Sequence, residues 1–128
     1  MNTFISHVAV YAIDLERSKD YYVKYFNAIS NDKYTNTKGF SSYFITFSSG
    51  ARLEIMSHTN LSIRSVKDMM NGWSHIAFSV GSKENVLKLT EQIISDGYEL
   101  LSPPRETGDG YFESCVADPD GNRVEITI

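Results

Sequence analysis

Apolar and polar positions alternate and recur through this 128-residue chain in two successive rounds. Phe4 to Ala12 alternates with a period of two and predicts a strand. Asp14 then offers an N-cap with Glu16 in the first turn, and Tyr21, Tyr22, Tyr25 and Phe26 follow at helical spacing, so an amphipathic helix is expected over 15–27. A weak strand is expected around 30–36. The aromatic and β-branched run 43–47 predicts another, turned by Ser48-Ser49-Gly50 into a returning strand over 53–56. Residues 57–72 are polar, with a short helical pattern at Val66, Met69 and Met70, and read as a connection in which His58 is solvent-exposed.

The order then repeats. Residues 73–80 predict a strand. Ser82 caps a helix whose Val86, Leu89, Ile93 and Ile94 form an apolar stripe ending at Gly97. Residues 98–101 predict a strand that Pro103-Pro104 breaks, and 111–117 another. Asp118-Pro119-Asp120-Gly121 is a turn signal before a last strand over 123–128. Each round is therefore βαβββ. The expectation is an α+β fold in which two tandem modules, about 1–58 and 73–128, are joined by 59–72 within one domain.

Strand parity singles out four residues. His7 shares a face with Ile5, Ala9 and Tyr11, and His75 with Ala77 and Ser79. Glu54 lies with Arg52 and Met56, and Glu125 with Arg123 and Thr127. Val8, Val10, Leu53, Ile55, Ile76, Phe78, Val124 and Ile126 take the opposite face, which the helices should cover. As a pattern, H-[VI]-A-[VF] is followed by G-x-R-[LV]-E-I in both rounds, with 47 residues from His7 to Glu54 and 50 from His75 to Glu125. A single strand His is usually a surface or satisfied core residue, and a single strand Glu is usually solvated. Repetition of both types at matching places is different, because a duplication kept for folding has little reason to hold charged groups on one shared face. Two imidazoles and two carboxylates form an N₂O₂ donor set. Without cysteine this favours one divalent Zn, Ni, Co, Fe or Mn ion, around which a curved sheet face would form a cavity.

Composition narrows the function classes. Hydrophobic content of 41% and charged content of 22% are ordinary for a globular protein, and the net charge of −4 carries no basic footprint for nucleic acid. No apolar stretch approaches the ~20 residues that span a bilayer, and the N-terminus lacks the pattern of a signal peptide. The single Cys115 cannot form an intrachain disulfide and reads as a small buried residue, so a reducing cytoplasm is expected.

Trp73-Ser74-His75-Ile76-Ala77-Phe78 and Asp118-Pro119-Asp120-Gly121-Asn122-Arg123-Val124-Glu125 resemble stretches of the vicinal-oxygen-chelate superfamily. That superfamily includes glyoxalase I, methylmalonyl-CoA epimerase, extradiol dioxygenases, and fosfomycin-resistance and bleomycin-binding proteins. The likeness spans essentially the whole chain and is greatest to small bacterial glyoxalase I relatives, and the superfamily's paired βαβββ fold agrees with the reading above. It implies His7, Glu54, His75 and Glu125 as metal ligands, one from each of four strands. A full quartet argues against the dioxygenases, which use two His and one Glu, and against the bleomycin-binding proteins, which lack the site. The epimerase often has Gln where this chain has Glu54.

The resemblance implies a lyase or isomerase that moves a proton between adjacent carbons of a hemithioacetal or α-hydroxycarbonyl, through an enediolate that the metal stabilises. Glu125 is the expected base, with Glu54 as second acid/base or ligand. The imidazoles must be neutral to bind, so activity should fall at low pH. The substrate is expected to be a small molecule, such as the thiol adduct of a 2-oxoaldehyde. Glutathione-dependent members tend to carry Arg where this chain has Tyr11, so another thiol is open. Arg105 and Tyr111 flank a Gly-containing loop that could close over substrate or be a plain hairpin turn. Relatives commonly form homodimers with sites shared between subunits. The alternatives are an epimerase or thiol transferase on the same metal, and a metal-free small-molecule or drug-binding protein.

Overall fold

In the computed structural model, which describes residues 1–65 and 71–128, the chain divides into two compact units, Met1–Arg64 and Ser65–Ile128. The helical pattern expected at Val66, Met69 and Met70 lies outside the described residues. The first unit runs β1 (His7–Tyr11), α1 (Leu15–Phe26), β2 (Ile29–Ser30), β3 (Tyr34–Thr35), β4 (Phe40–Thr46) and β5 (Arg52–His58). The second runs β6 (His75–Ser79), α2 (Lys83–Ser95), β7 (Leu100–Glu106), β8 (Phe112–Ala117) and β9 (Arg123–Thr127). This is the α+β fold of two βαβββ modules. The weak strand expected at 30–36 is two short segments, β2 and β3, both antiparallel to β4.

Each sheet is mixed. In the first unit the order is β1-β5-β4-β2, and in the second β6-β9-β8-β7. β1 lies parallel to β5 and β6 parallel to β9, while the remaining pairs are antiparallel. A parallel pair needs a crossover, and α1 and α2 lie within those crossovers, returning over one sheet face. Asp14 caps α1 by accepting from the Arg17 N–H at 3.0 Å, and Ser82 caps α2 through the Asn85 N–H at 3.2 Å. α2 ends on Gly97 in the left-handed region, where the Gly97 N–H reaches the Ile94 carbonyl and the Tyr98 N–H that of Ile93. That pairing satisfies two carbonyls the last turn would leave open.

The cores lie beneath the helices. Ile45, Leu53 and Ile55 are buried in the first unit with Tyr21, Tyr22 and Tyr25 of α1. Val116, Val124 and Ile126 are buried in the second with Val86 and Ile93 of α2. The three tyrosines meet edge to face, with centroids 5.0 and 5.1 Å apart, which makes them packing residues. Ile55→Ala is expected to cost about 2–5 kcal/mol, read as a lower urea midpoint. Leu87→Ala, at a half-exposed position, should change stability by less than about 0.5 kcal/mol.

Two sequence expectations are corrected. β7 continues through Pro103-Pro104 instead of ending at them. It is an edge strand, so only one of two successive N–H groups faces a neighbour, and the register shift between Ser102 and Arg105 absorbs the prolines. His58 belongs to the end of β5, opposite Phe40, and is half-buried. There the Asn60 N–H donates to its Nδ1 at 3.0 Å.

Cys115 is buried in β8, and that burial pushes its thiol above the ordinary range. An alkylating reagent at mildly alkaline pH is therefore expected to label it roughly 100-fold or more slowly in the folded protein than in denaturant. Equal rates would place the thiol at the surface. Among the described residues no helix is long and apolar enough to cross a membrane.

Candidate metal centre

The four candidate ligands sit on the sheet faces away from the helices, as parity requires. β5 buries Leu53 and Ile55 and turns Arg52, Glu54 and Met56 outward; β9 buries Val124 and Ile126 and turns Arg123, Glu125 and Thr127 outward. β1 and β6 alternate in the same sense, with His7, Ala9, Tyr11, His75, Ala77 and Ser79 on the exposed side.

Register does the rest, and it is the same in both units. His7 lies opposite Arg52 and Ala9 opposite Glu54; His75 lies opposite Arg123 and Ala77 opposite Glu125. Each glutamate thus faces an alanine, and the space above that methyl group is open to the imidazole two residues away. His7 Nε2 stands 3.7 Å from Glu54 Oε2, and His75 Nε2 stands 3.1 Å from Glu125 Oε2. The turn before β9 sets its register. Asp118 Oδ1 accepts from the N–H groups of Asp120 and Asn122, both at 2.9 Å, and Gly121 takes the positive φ the turn demands.

The glutamates are more enclosed than the histidines. Their side chains are 16% and 21% exposed, against 42% and 39% for His7 and His75. At Glu125, burial foremost, and then the charge and hydrogen bond of Glu113, hold the carboxyl above the ordinary carboxylate range; the opposing charges of His75 and Arg123 do not cancel this. Glu113 is a residue the sequence reading passed over. It lies on β8 with the parity of Cys115, which stands opposite Glu125. Alternation through 111–117, applied as it was to the His and Glu strands, would have found it.

The first unit adds an aromatic neighbour to its histidine, and in both units a serine hydroxyl lies beside the ring. In the first, the Phe44 ring lies edge-on to His7 with centroids 5.5 Å apart, and the Arg52 guanidinium stacks 4.4 Å over the same ring. Ser6 Oγ lies 3.4 Å from His7 Nδ1, and Ser74 Oγ 3.1 Å from His75 Nδ1. Tyr11 is half-exposed on the His7 face, opposite Met56. Arg105 is exposed on β7 opposite Glu113, one cross-strand row from Glu125. Tyr111 is half-exposed in the β7–β8 loop, which closes as a hydrogen-bonded hairpin: the Thr107 N–H reaches the Tyr111 carbonyl at 2.7 Å, and the Tyr111 N–H donates to Thr107 Oγ1 at 2.9 Å. Trp73, just before β6, is 94% exposed.

The donor set fits a divalent ion, one pair at a time. Two donors each ~2.1 Å from one ion lie about 3.0 Å apart at right angles and about 3.4 Å apart at the tetrahedral angle. The His75–Glu125 separation agrees with this, and the His7–Glu54 separation needs a shift of a few tenths of an ångström. Among the described residues no group of three or more His, Cys, Asp or Glu side chains is gathered that could hold a metal. Each unit therefore offers two donors.

Comparison with known proteins bears on the whole chain. The family model described as Glyoxalase/Bleomycin resistance protein/Dioxygenase superfamily matches residues 4–126. A 58-residue stretch is 36% identical to an uncharacterized protein, YqjT, of Bacillus subtilis (strain 168); it spans 43% of this chain and 45% of that relative, under half its length. Among solved structures, a glyoxylase/bleomycin resistance protein/dioxygenase domain from Frankia sp. EAN1pec superposes with a TM-score of 0.84 at 19% identity, covering 100% of this chain and 98% of that one. Glyoxalase I from Zea mays gives 0.78 at 22% identity, over 97% of this chain and 44% of its own. A glyoxalase family protein from Enterococcus faecalis gives 0.78 at 24%, over 97% and 96%. At these identities the structural likeness is one of fold.

Proposed function

The chain belongs to the Glyoxalase/Bleomycin resistance protein/Dioxygenase superfamily, and we propose that it acts there as a divalent-metal-dependent lyase or isomerase of the glyoxalase I type. The observation that carries this is the repeated His–Glu pair. Both units keep an imidazole and a carboxylate at the same register positions, 3.7 and 3.1 Å apart. His7, Glu54, His75 and Glu125 would hold the ion. The two pairs belong either to one chain or to two copies of a homodimer. Phe4 and Trp73, large exposed apolar residues ahead of the edge strands β1 and β6, support burial of these edges on assembly.

When bound, a Ni, Zn, Co, Fe or Mn ion supplies Lewis-acid polarisation of two adjacent substrate oxygens. The chain supplies the proton chemistry. A Glu125 carboxylate oxygen takes the proton from the carbon that bears the hydroxyl and the thioether sulfur and returns it to the neighbouring carbonyl carbon, while the hydroxyl proton passes to the oxygen of that neighbouring carbon. The net change turns a 2-oxoaldehyde hemithioacetal into a 2-hydroxy thioester, with no outside oxidant or reductant. Burial and Glu113 strengthen Glu125 as a base. Glu54 serves as ligand or second acid/base. Tyr11, Arg105 and Tyr111 are the proposed substrate contacts, and Tyr11 in place of a cation leaves the thiol free of any need for a carboxylate. The proposed compartment is the reducing cytoplasm.

The test is titration of purified protein with Ni²⁺, Co²⁺ and Zn²⁺, followed by turnover of methylglyoxal with a panel of small thiols. Metal uptake with turnover is expected. Metal without turnover moves the reading to an epimerase or thiol transferase, and failure to take up any ion leaves a metal-free binding protein on the same fold.

A further inference from the structure

We infer that Ser6 and Ser74 are positioning residues for the two imidazoles, holding each ring in place both before and after a metal binds. The inference rests on the proposed metal site and concerns residues outside the donor set. Both histidines are preceded by serine, and in both units the hydroxyl reaches back to the ring. Ser74 Oγ is 3.1 Å from His75 Nδ1, and Ser6 Oγ is 3.4 Å from His7 Nδ1, a longer and weaker contact. Neighbouring side chains within a strand point to opposite faces. Each of these serines lies one residue ahead of the first paired residue of its strand.

The two ring nitrogens make opposite demands. Nε2 points at a glutamate carboxylate in each unit. Without a metal, a neutral ring satisfies that carboxylate by carrying its proton on Nε2, which leaves Nδ1 as an acceptor. As a ligand through Nε2, the ring must carry the proton on Nδ1, which then donates. A carbonyl or carboxylate partner could serve only the second state. A hydroxyl serves both, donating to Nδ1 in the first and accepting from it in the second. Serine at this place lets the proton change nitrogen without turning the ring. The ring then keeps one orientation in both states, which lowers the reorganisation that binding requires. Both serines are exposed, so their removal spares the core.

The experiment compares wild type with Ser6→Ala, Ser74→Ala and Ser74→Thr. In metal-free protein labelled with ¹⁵N-histidine, Ser74→Ala is expected to shift or broaden the His75 Nδ1 resonance and leave His7 alone. Ser6→Ala should do the reverse, and Ser74→Thr should restore the wild-type signal. In a Co²⁺ titration each alanine variant should bind about 10-fold more weakly, with threonine again restoring affinity. Unchanged imidazole signals overturn the inference, as does unchanged affinity in a wild type that binds Co²⁺. A wild type that binds no metal overturns the proposed function instead, and the ¹⁵N spectra still decide the role of the serines.

Discussion

Glu125→Gln is expected to lower turnover of a methylglyoxal–thiol adduct by about 10²–10⁴-fold, the range that a positioned general base contributes. The substitution preserves side-chain volume and an oxygen donor, so the half-buried position is not emptied and β9 should keep its register against β6 and β8. The amide cannot hold the proton that the carboxylate would take. It is also a poorer ligand, so the rate must be taken at measured, saturating metal occupancy to separate lost ion from lost base. Glu54→Gln under the same conditions should cost less in kcat, because the base role is assigned to Glu125 and Glu54 is left as ligand or second acid/base. A Glu125→Gln enzyme within about 3-fold of wild type at full occupancy would remove Glu125 from the base role, and a larger loss in Glu54→Gln would transfer that role to the other unit.

The facing of each His–Glu pair was legible in the sequence because strand parity is a local property. Whether His7 and Glu54 leave on the same side as Ala9 and Arg52 depends only on alternation within each strand, and the structure preserves it. The caps at Asp14 and Ser82 were legible for the same reason, since a cap needs only the residue and the first turn after it. What was not legible depends on sheet order. Pro103 and Pro104 read as breakers because their missing N–H matters in a central strand, and only the order β6-β9-β8-β7 shows that β7 is an edge. Glu113 was missed because its importance comes from the strand beside it. Cross-strand register places Cys115 opposite Glu125 and Glu113 two pairs further along, on the same face, and no spacing along the chain encodes that. Ser6 and Ser74 were visible as residues, but the repeat was read from the histidine onward, and what gives them meaning is the distance from Oγ to Nδ1.

Removing either pair should abolish the metal site altogether. If the two units contribute to one centre, wild type binds one ion for each two His–Glu pairs, and His7→Ala and His75→Ala each remove it, although each leaves the other unit's pair untouched. The readout is stability. An ion at 100 times its Kd stabilises the folded state by about 2.7 kcal/mol, which raises the Tm of a chain this size by roughly 10 °C. Both variants should lose that rise, while Ile63→Ala, at an exposed position of the first unit, should keep it. Two ions per chain, or a rise that each variant loses by only half, would mean that each pair binds on its own and that there is no shared centre. Mixing the two variants then locates the centre. Where it is built from two copies, a mixed dimer joins the intact His7–Glu54 pair of one chain to the intact His75–Glu125 pair of the other. Random exchange then recovers about a quarter of the wild-type sites, because half the dimers are mixed and each carries one good site of two. Where it is built within one chain, every molecule in the mixture lacks a ligand and nothing is recovered. The same pair of variants thus tests whether the duplicated pairs meet and, if they do, whether they meet across a subunit boundary.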